Sequence, residues 1–128
     1  MPKPGFAGHK FKITKHTDEI RCPDHPVQKQ PTHDGWTIEF SDDLEDNGRS
    51  YKGKVEDTKG NSSNFSWRDE DGRILTTNFA FGSCPNGWHI ELYRPFHDRP
   101  AQMVLEIDCV TTDANDCVHE IRIRMEQQ

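Results

Sequence analysis

Four cysteines and seven histidines are the residues of this chain best equipped for chemistry, and two of each fall in short pairs. Cys22-Pro-Asp-His25 and Cys84-Pro-Asn-Gly-Trp-His89 each set a thiol and an imidazole a few residues apart beside a turn-forming proline. Cys22, His25, Cys84 and His89 are the right types for a tetrahedral zinc centre, which takes thiolate and imidazole ligands. Their spacing matches no usual zinc finger, and the chain lacks the pattern of the helix that a finger needs. Disulfides are the competing use, four cysteines allowing three pairings. Free thiols buried as small apolar side chains are the third.

Carboxylates number 22, but nearly all fall in hydrophilic turns where water leaves their acidity ordinary. Acid–base catalysis needs a carboxyl held in an apolar place. Glu39, Glu91, Glu106, Asp108 and Glu120 lie inside strand-like segments, and each alternates with apolar neighbours, which turns it toward solvent. No G-x-S-x-G elbow, H-E-x-x-H pair, phosphate-binding glycine loop or dinucleotide fingerprint occurs. The chain reads as non-catalytic, with no cofactor. The stretch Asp43-Leu-Glu45-Asp-Asn47-Gly48 resembles the first half of a calcium loop, yet its twelfth position is Lys54 instead of Glu, which excludes an EF-hand. An acidic hairpin tip and an irregular calcium site in a β loop are the readings left. His16, His33 and His97 sit beside turns, and His119 is expected as a core histidine.

Trp36, Trp67 and Trp88 each sit in a strand pattern and default to the core. The sharper alternative is a platform for stacking on a glycan, centred on Trp88 with His89, Tyr93 and Arg94 and supplemented by Tyr51 and Trp67. Asn61-Ser-Ser63 and Asn64-Phe-Ser66 match the acceptor pattern for glycosylation in a secreted eukaryotic protein.

The elements that must position these residues are strands. A length of 128 residues fits one domain. Leu, Ile, Val and Phe total 24, so the core is thin, but a net charge of −6 is too small to imply disorder. The acidic balance argues against nucleic acid as a partner, whose phosphates call for surplus Lys and Arg. No stretch approaches the roughly 20 apolar residues that cross a bilayer, and Met1-Pro2-Lys3-Pro4-Gly5 lacks an apolar signal-peptide centre. A soluble protein without membrane contact is expected, and the even cysteine count inclines the reading toward an extracellular or virion setting.

Ala and Leu total eight, so long helices are not expected. Period-two segments recur instead, from His9 to Lys15, Trp36 to Phe40, Tyr51 to Glu56, Asn64 to Arg68, Ile74 to Phe81, Trp88 to Arg94, Gln102 to Val110 and Cys117 to Met125. Asp46-Asn47-Gly48, Lys59-Gly60-Asn61 and Asp69-Glu70-Asp71-Gly72 supply hairpin turns. The expected fold is all-β, a single-domain antiparallel β-sandwich or flattened barrel of about eight strands over residues 9–128. An extended arm over residues 1–8 precedes it, and such an arm stays ordered when something ties it down, a neighbouring subunit for example. The segment from Pro23 to Pro31 reads as an extended or looped connection.

In the last hairpin, Met103, Leu105, Ile107 and Cys109 share one face, and Cys117, His119, Ile121, Ile123 and Met125 share another. Setting Cys109 opposite Cys117 buries both apolar faces together and predicts a Cys109–Cys117 disulfide, leaving Cys22 for Cys84. The leading functional expectation is a non-catalytic interaction or assembly protein, an accessory, viral structural or inhibitory subunit. It would bind a protein partner or its own copies through loops and exposed sheet faces. A carbohydrate-binding module is the second expectation. The third is a small β-barrel enzyme or ligand carrier in which Glu91, His89 or His119 faces an interior pocket.

Overall fold

The computed structural model describes residues 4–128. These form nine strands and no helix: β1 (His9–Arg21), β2 (Gln28–Lys29), β3 (Thr37–Leu44), β4 (Tyr51–Glu56), β5 (Ser62–Glu70), β6 (Arg73–Thr77), β7 (Trp88–Tyr93), β8 (Val104–Thr112) and β9 (Val118–Gln127). From β3 to β9 each strand pairs antiparallel with the next, and β1 pairs with both β3 and β9. The result is a closed eight-stranded up-and-down barrel with β2 as an extra strand, in keeping with the fold expected from period-two patterning. Closure leaves few exposed sheet edges.

β1 makes the closure possible because its 13 residues serve three partners. His9–Lys12 pair with β3, Phe11–Arg21 with β9, and Glu19 and Ile20 with β2. The register against β9 shifts between Ile13 and Lys15. Thr14 and Lys15 are consecutive exposed residues there, the mark of a bulge that reverses the in-and-out alternation. Before it Phe11 and Ile13 point inward. After it His16, Asp18 and Ile20 do.

Aromatic rings make up a large share of the interior. Phe40 packs on Phe65 at 5.8 Å between ring centroids, Phe65 on Phe79 at 4.7 Å and Phe79 on Trp88 at 5.6 Å. Large rings let a chain poor in Leu fill a barrel with few residues. Room for them comes partly from Gly53 on β4, which stands in register between Phe40 and Phe65. A β-carbon on Gly53 would lie 2.3 Å from the Phe65 ring. The arm expected at residues 1–8 is tied down by its own barrel: Phe6 is 2% exposed and contacts Phe40 and Trp67 at 5.2 and 5.3 Å. Met1–Lys3 of that arm lie outside the described residues.

The cysteine pairing differs from the expected one. The disulfides are Cys22–Cys117 and Cys84–Cys109. The β8–β9 turn is tighter than anticipated, because the Asp113 carboxylate accepts the backbone N–H groups of Asn115 at 2.8 Å and Cys117 at 3.1 Å. The strands therefore run on to Thr112 and Val118, and Cys109 faces Ile121 instead of Cys117. The slip is an even number of residues, so the same apolar faces still meet, now with Leu105 opposite Met125 and Ile107 opposite Ile123. Cys117 finds Cys22 because the β1–β9 register, ending at Arg21 opposite Val118, sets these two face to face one step further.

Two measurements check this architecture. Non-reducing peptide mapping should recover the Cys22–Cys117 and Cys84–Cys109 peptides and neither of the alternative pairings. Gly53→Ala should cost about 3 kcal/mol in urea unfolding, at the upper end of ordinary overpacking. Adding Phe65→Leu should recover part of that loss, which simple additivity of two destabilising changes would not produce.

Candidate functional site

Two places on the barrel gather polar groups: one mouth and one outer face. The bulge at Thr14 creates the first. It turns His16 and Asp18 inward toward the end of the barrel where β9 contributes His119 and β8 contributes Thr111, which face each other in register. The His119 Nε2–H donates to Asp18 Oδ1 at 2.6 Å. Phe81, Ile121, Cys109 and the 80–83 loop complete a hollow of about 480 Å³.

His16 lies at the edge of this mouth and is 5% exposed. Its Nδ1 accepts the backbone N–H of His33 at 3.0 Å, and its own backbone N–H donates to Asp34 Oδ1 at 2.8 Å. An acceptor role at Nδ1 places the proton of the neutral ring on Nε2. That nitrogen is buried without a hydrogen-bond partner. Phe81 packs edge-on against the ring at 5.2 Å, and His33 stacks on Trp36 at 4.1 Å. Burial first, and the neighbouring His33 second, hold the His16 pKa below the ordinary imidazole value against the opposing pull of Asp18 and Asp34.

The second place is the outer face of β7, β8, β9 and β1. Alternation sends Glu91, His89, Glu106, Asp108, Arg122, Arg124, Lys15, Thr17 and Glu19 outward around a shallow depression of about 660 Å³. Neighbouring strands align these side chains in rows. One row reads Glu91, Glu106, Arg124, Lys15, and the next reads His89, Asp108, Arg122, Thr17. Arg124 Nη1 donates to Glu106 Oε1 at 2.9 Å and to the Tyr93 hydroxyl, which itself donates to Glu106 at 2.7 Å. Partial burial, and next the hydrogen bond to Glu106, push the Tyr93 phenol above its usual pKa. His89 Nδ1 lies 2.9 Å from Asp108 Oδ1.

The residues singled out from sequence separate accordingly. Cys22 and Cys84 are held in different disulfides, His25 is exposed, and His89 points outward, so these four do not converge as zinc ligands. No group of three or more metal-ligating side chains occurs among the described residues. Trp88 is 0% exposed and donates from Nε1 to Thr76, which removes it from any glycan platform. The reason is strand alternation: Trp88 turns inward where His89 and Tyr93 turn outward. Arg94 is exposed beyond the end of β7. His89 and Glu91 likewise leave the interior, and His119 alone of that trio reaches a hollow. In the Asp43–Gly48 stretch, Asn47 Oδ1 caps the N–H groups of Arg49 and Ser50 within the turn, and Glu45 accepts from Ser66 of β5. Asn61 and Asn64 are exposed at the β4–β5 hairpin. His16 and Asp18 were missed as site residues because alternation breaks at Thr14.

Compared with protein families, curated proteins and solved structures, the chain has no significant match.

The His16 environment fixes the sign of a pH effect. A histidine that resists protonation when folded takes up its proton more readily when unfolded, so stability is retained above the ordinary value near pH 6.5 and lost as pH falls through it. Chemical denaturation should show stability dropping from pH 7 toward pH 5, by no more than about 1.4 kcal/mol per pH unit from this one group. His16→Asn, whose side-chain oxygen can accept from His33, should flatten that slope, and an unchanged slope would assign the effect elsewhere.

Proposed function

We propose that this chain is a non-catalytic interaction or assembly protein that engages a protein partner through its outer sheet face and adjoining loops. The observation that carries the reading is the placement of open space. The barrel axis is filled by Phe40, Phe65, Trp67, Phe79 and Trp88, and a depression of about 660 Å³ lies outside, on four adjoining strands bearing side chains of both signs. Small eight-stranded barrels hold a ligand only where side chains leave the interior open. Mixed charge set in fixed rows favours register and partner choice, which is what electrostatic complementarity supplies to protein interfaces.

The two disulfides support an oxidising setting such as the extracellular space. No helix of the described residues is long and apolar enough to cross a membrane. A second reading, a small-ligand protein, is favoured by the hollow at the mouth, where the His119–Asp18 pair stands beside Phe81 and Ile121. Carbodiimide, which joins a carboxylate to a lysine only when they touch, separates the two. In material from the native source, mass spectrometry should find intermolecular cross-links at Lys15, Glu19, Glu91, Glu106, Asp108 or Glu120. Cross-links confined to other surfaces, or a small ligand that travels with the protein in native mass spectrometry and is released by Asp18→Asn, would overturn the reading.

A further inference from the structure

In two rows of the outer face the charges are sorted by strand. Reading across β7, β8, β9 and β1, the first row runs acid, acid, base, base: Glu91, Glu106, Arg124, Lys15. In the second row Asp108 of β8 stands beside Arg122 of β9. In these two rows the sign changes across the line between β8 and β9. The depression holds five carboxylates and four cations, so this face is close to neutral although the chain carries −6 overall.

A pattern antisymmetric about a line is complementary to its own image after a half-turn about that line. Such a rotation, about an axis parallel to the strands, keeps each row at its height and exchanges left with right. Glu106 then meets Arg124 of the second copy, Asp108 meets Arg122, and Glu91 meets Lys15, every contact occurring twice as a two-fold interface requires. The third row, Val110, Glu120 and Glu19, departs from this order, so the complementarity is carried by the first two rows. A partner of uniform charge, whether polyanion or polycation, would be repelled by half of the first row and by one member of the Asp108–Arg122 pair.

We propose that a second copy of this chain docks face to face on β7, β8, β9 and β1, related by a two-fold axis running along the strands between β8 and β9. This rests on the reading of the outer face as the binding surface and names its occupant. Because most of the contacts are charge pairs near the surface, the association is weak and salt-sensitive.

Sedimentation equilibrium of the full chain tests it with two opposite variants. Arg122→Glu/Arg124→Glu makes the face acidic, and Glu106→Arg/Asp108→Arg makes it basic. The unaltered chain should form a dimer that dissociates as salt is raised. Each variant alone should associate at least about tenfold more weakly, and an equimolar mixture of the two should restore a dimer containing one of each. Lys15→Glu and Glu91→Lys, whose side chains carry no ion pair among the described residues, repeat the test should the double variants lose their fold by circular dichroism. A chain monomeric at every concentration, a dimer indifferent to these reversals, or a mixture that stays monomeric overturns the proposal. Carbodiimide cross-links from this face to a different protein, with a monomeric chain, would overturn the dimer and leave the binding reading standing.

Discussion

The antiparallel ladder between β1 and β9 joins the first strand to the last, residues about a hundred positions apart, and every other feature depends on it. Without it the remaining strands are an open meander with two long edges, ready to pair with other chains. The ladder runs from Phe11 opposite Gln127 to Arg21 opposite Val118, and the Cys22–Cys117 bridge fastens its far end. A link across 95 residues removes much of the freedom of the unfolded chain, worth up to about 4–5 kcal/mol in the chain-entropy view. For a domain with so few aliphatic residues that is a large share of the usual 5–15 kcal/mol of net stability. The bridge and the ladder support one another, since the register delivers the two cysteines to the same place.

Closure also dictates what the inside can hold. A barrel of eight strands is just wide enough to be filled by side chains, and here rings do much of the filling. Phe6 from the arm, Phe40, Phe65 and Trp67 meet near one end, and Phe79, Phe81 and Trp88 occupy the rest. Gly53 yields its side-chain space to Phe65, so the β4 backbone becomes part of the wall against which a ring packs. Polar chemistry is thereby expelled to the mouth and the outer face. At the mouth, His16 is kept in one tautomer by the backbone of His33, tying the 31–35 loop to β1.

Most strands were legible because a strand with one wet face writes its burial as alternation. Tyr51–Glu56 falls where the pattern puts it, and Trp36, Ile38 and Phe40 share a face as read. What failed is instructive physically. The expected end of β1 at Lys15 came from taking a broken alternation as a broken strand, when Thr14 is a bulge and the strand continues through Arg21. Ile74–Phe81 stops at Thr77 because Asn78 takes a positive φ of 60° and Gly82 one of 109°, leaving Phe79 and Phe81 to enter the core from a loop. The register of the last hairpin could not be fixed by hydrophobic matching, since any even slip preserves both faces; Asp113 decided it. That slip misassigned the disulfide, and in the observed register Glu106 faces Arg124. Long-range pairing of β1 with β9 left no local trace at all.

The outer face asks for an explanation that stability does not provide. Exposed ion pairs contribute roughly 0–1 kcal/mol each, and many contribute nothing measurable. Arg124 with Glu106 and Arg122 with Glu120 are half in water, so their net effect on folding is small. A solvent face of threonine, serine and lysine would serve the strands equally well, and Thr has the higher strand preference. Nor does sheet pairing demand this order of signs, since cross-strand attraction is satisfied as well by acid beside base on every adjacent pair. Instead Glu91 stands beside Glu106 and Arg124 beside Lys15, like charges on neighbouring strands, which costs stability within the chain. The like-charge neighbours cost a little within one molecule even though Glu106 and Arg124 pair across β8 and β9, and the docking proposed above would offset that cost against a matching surface.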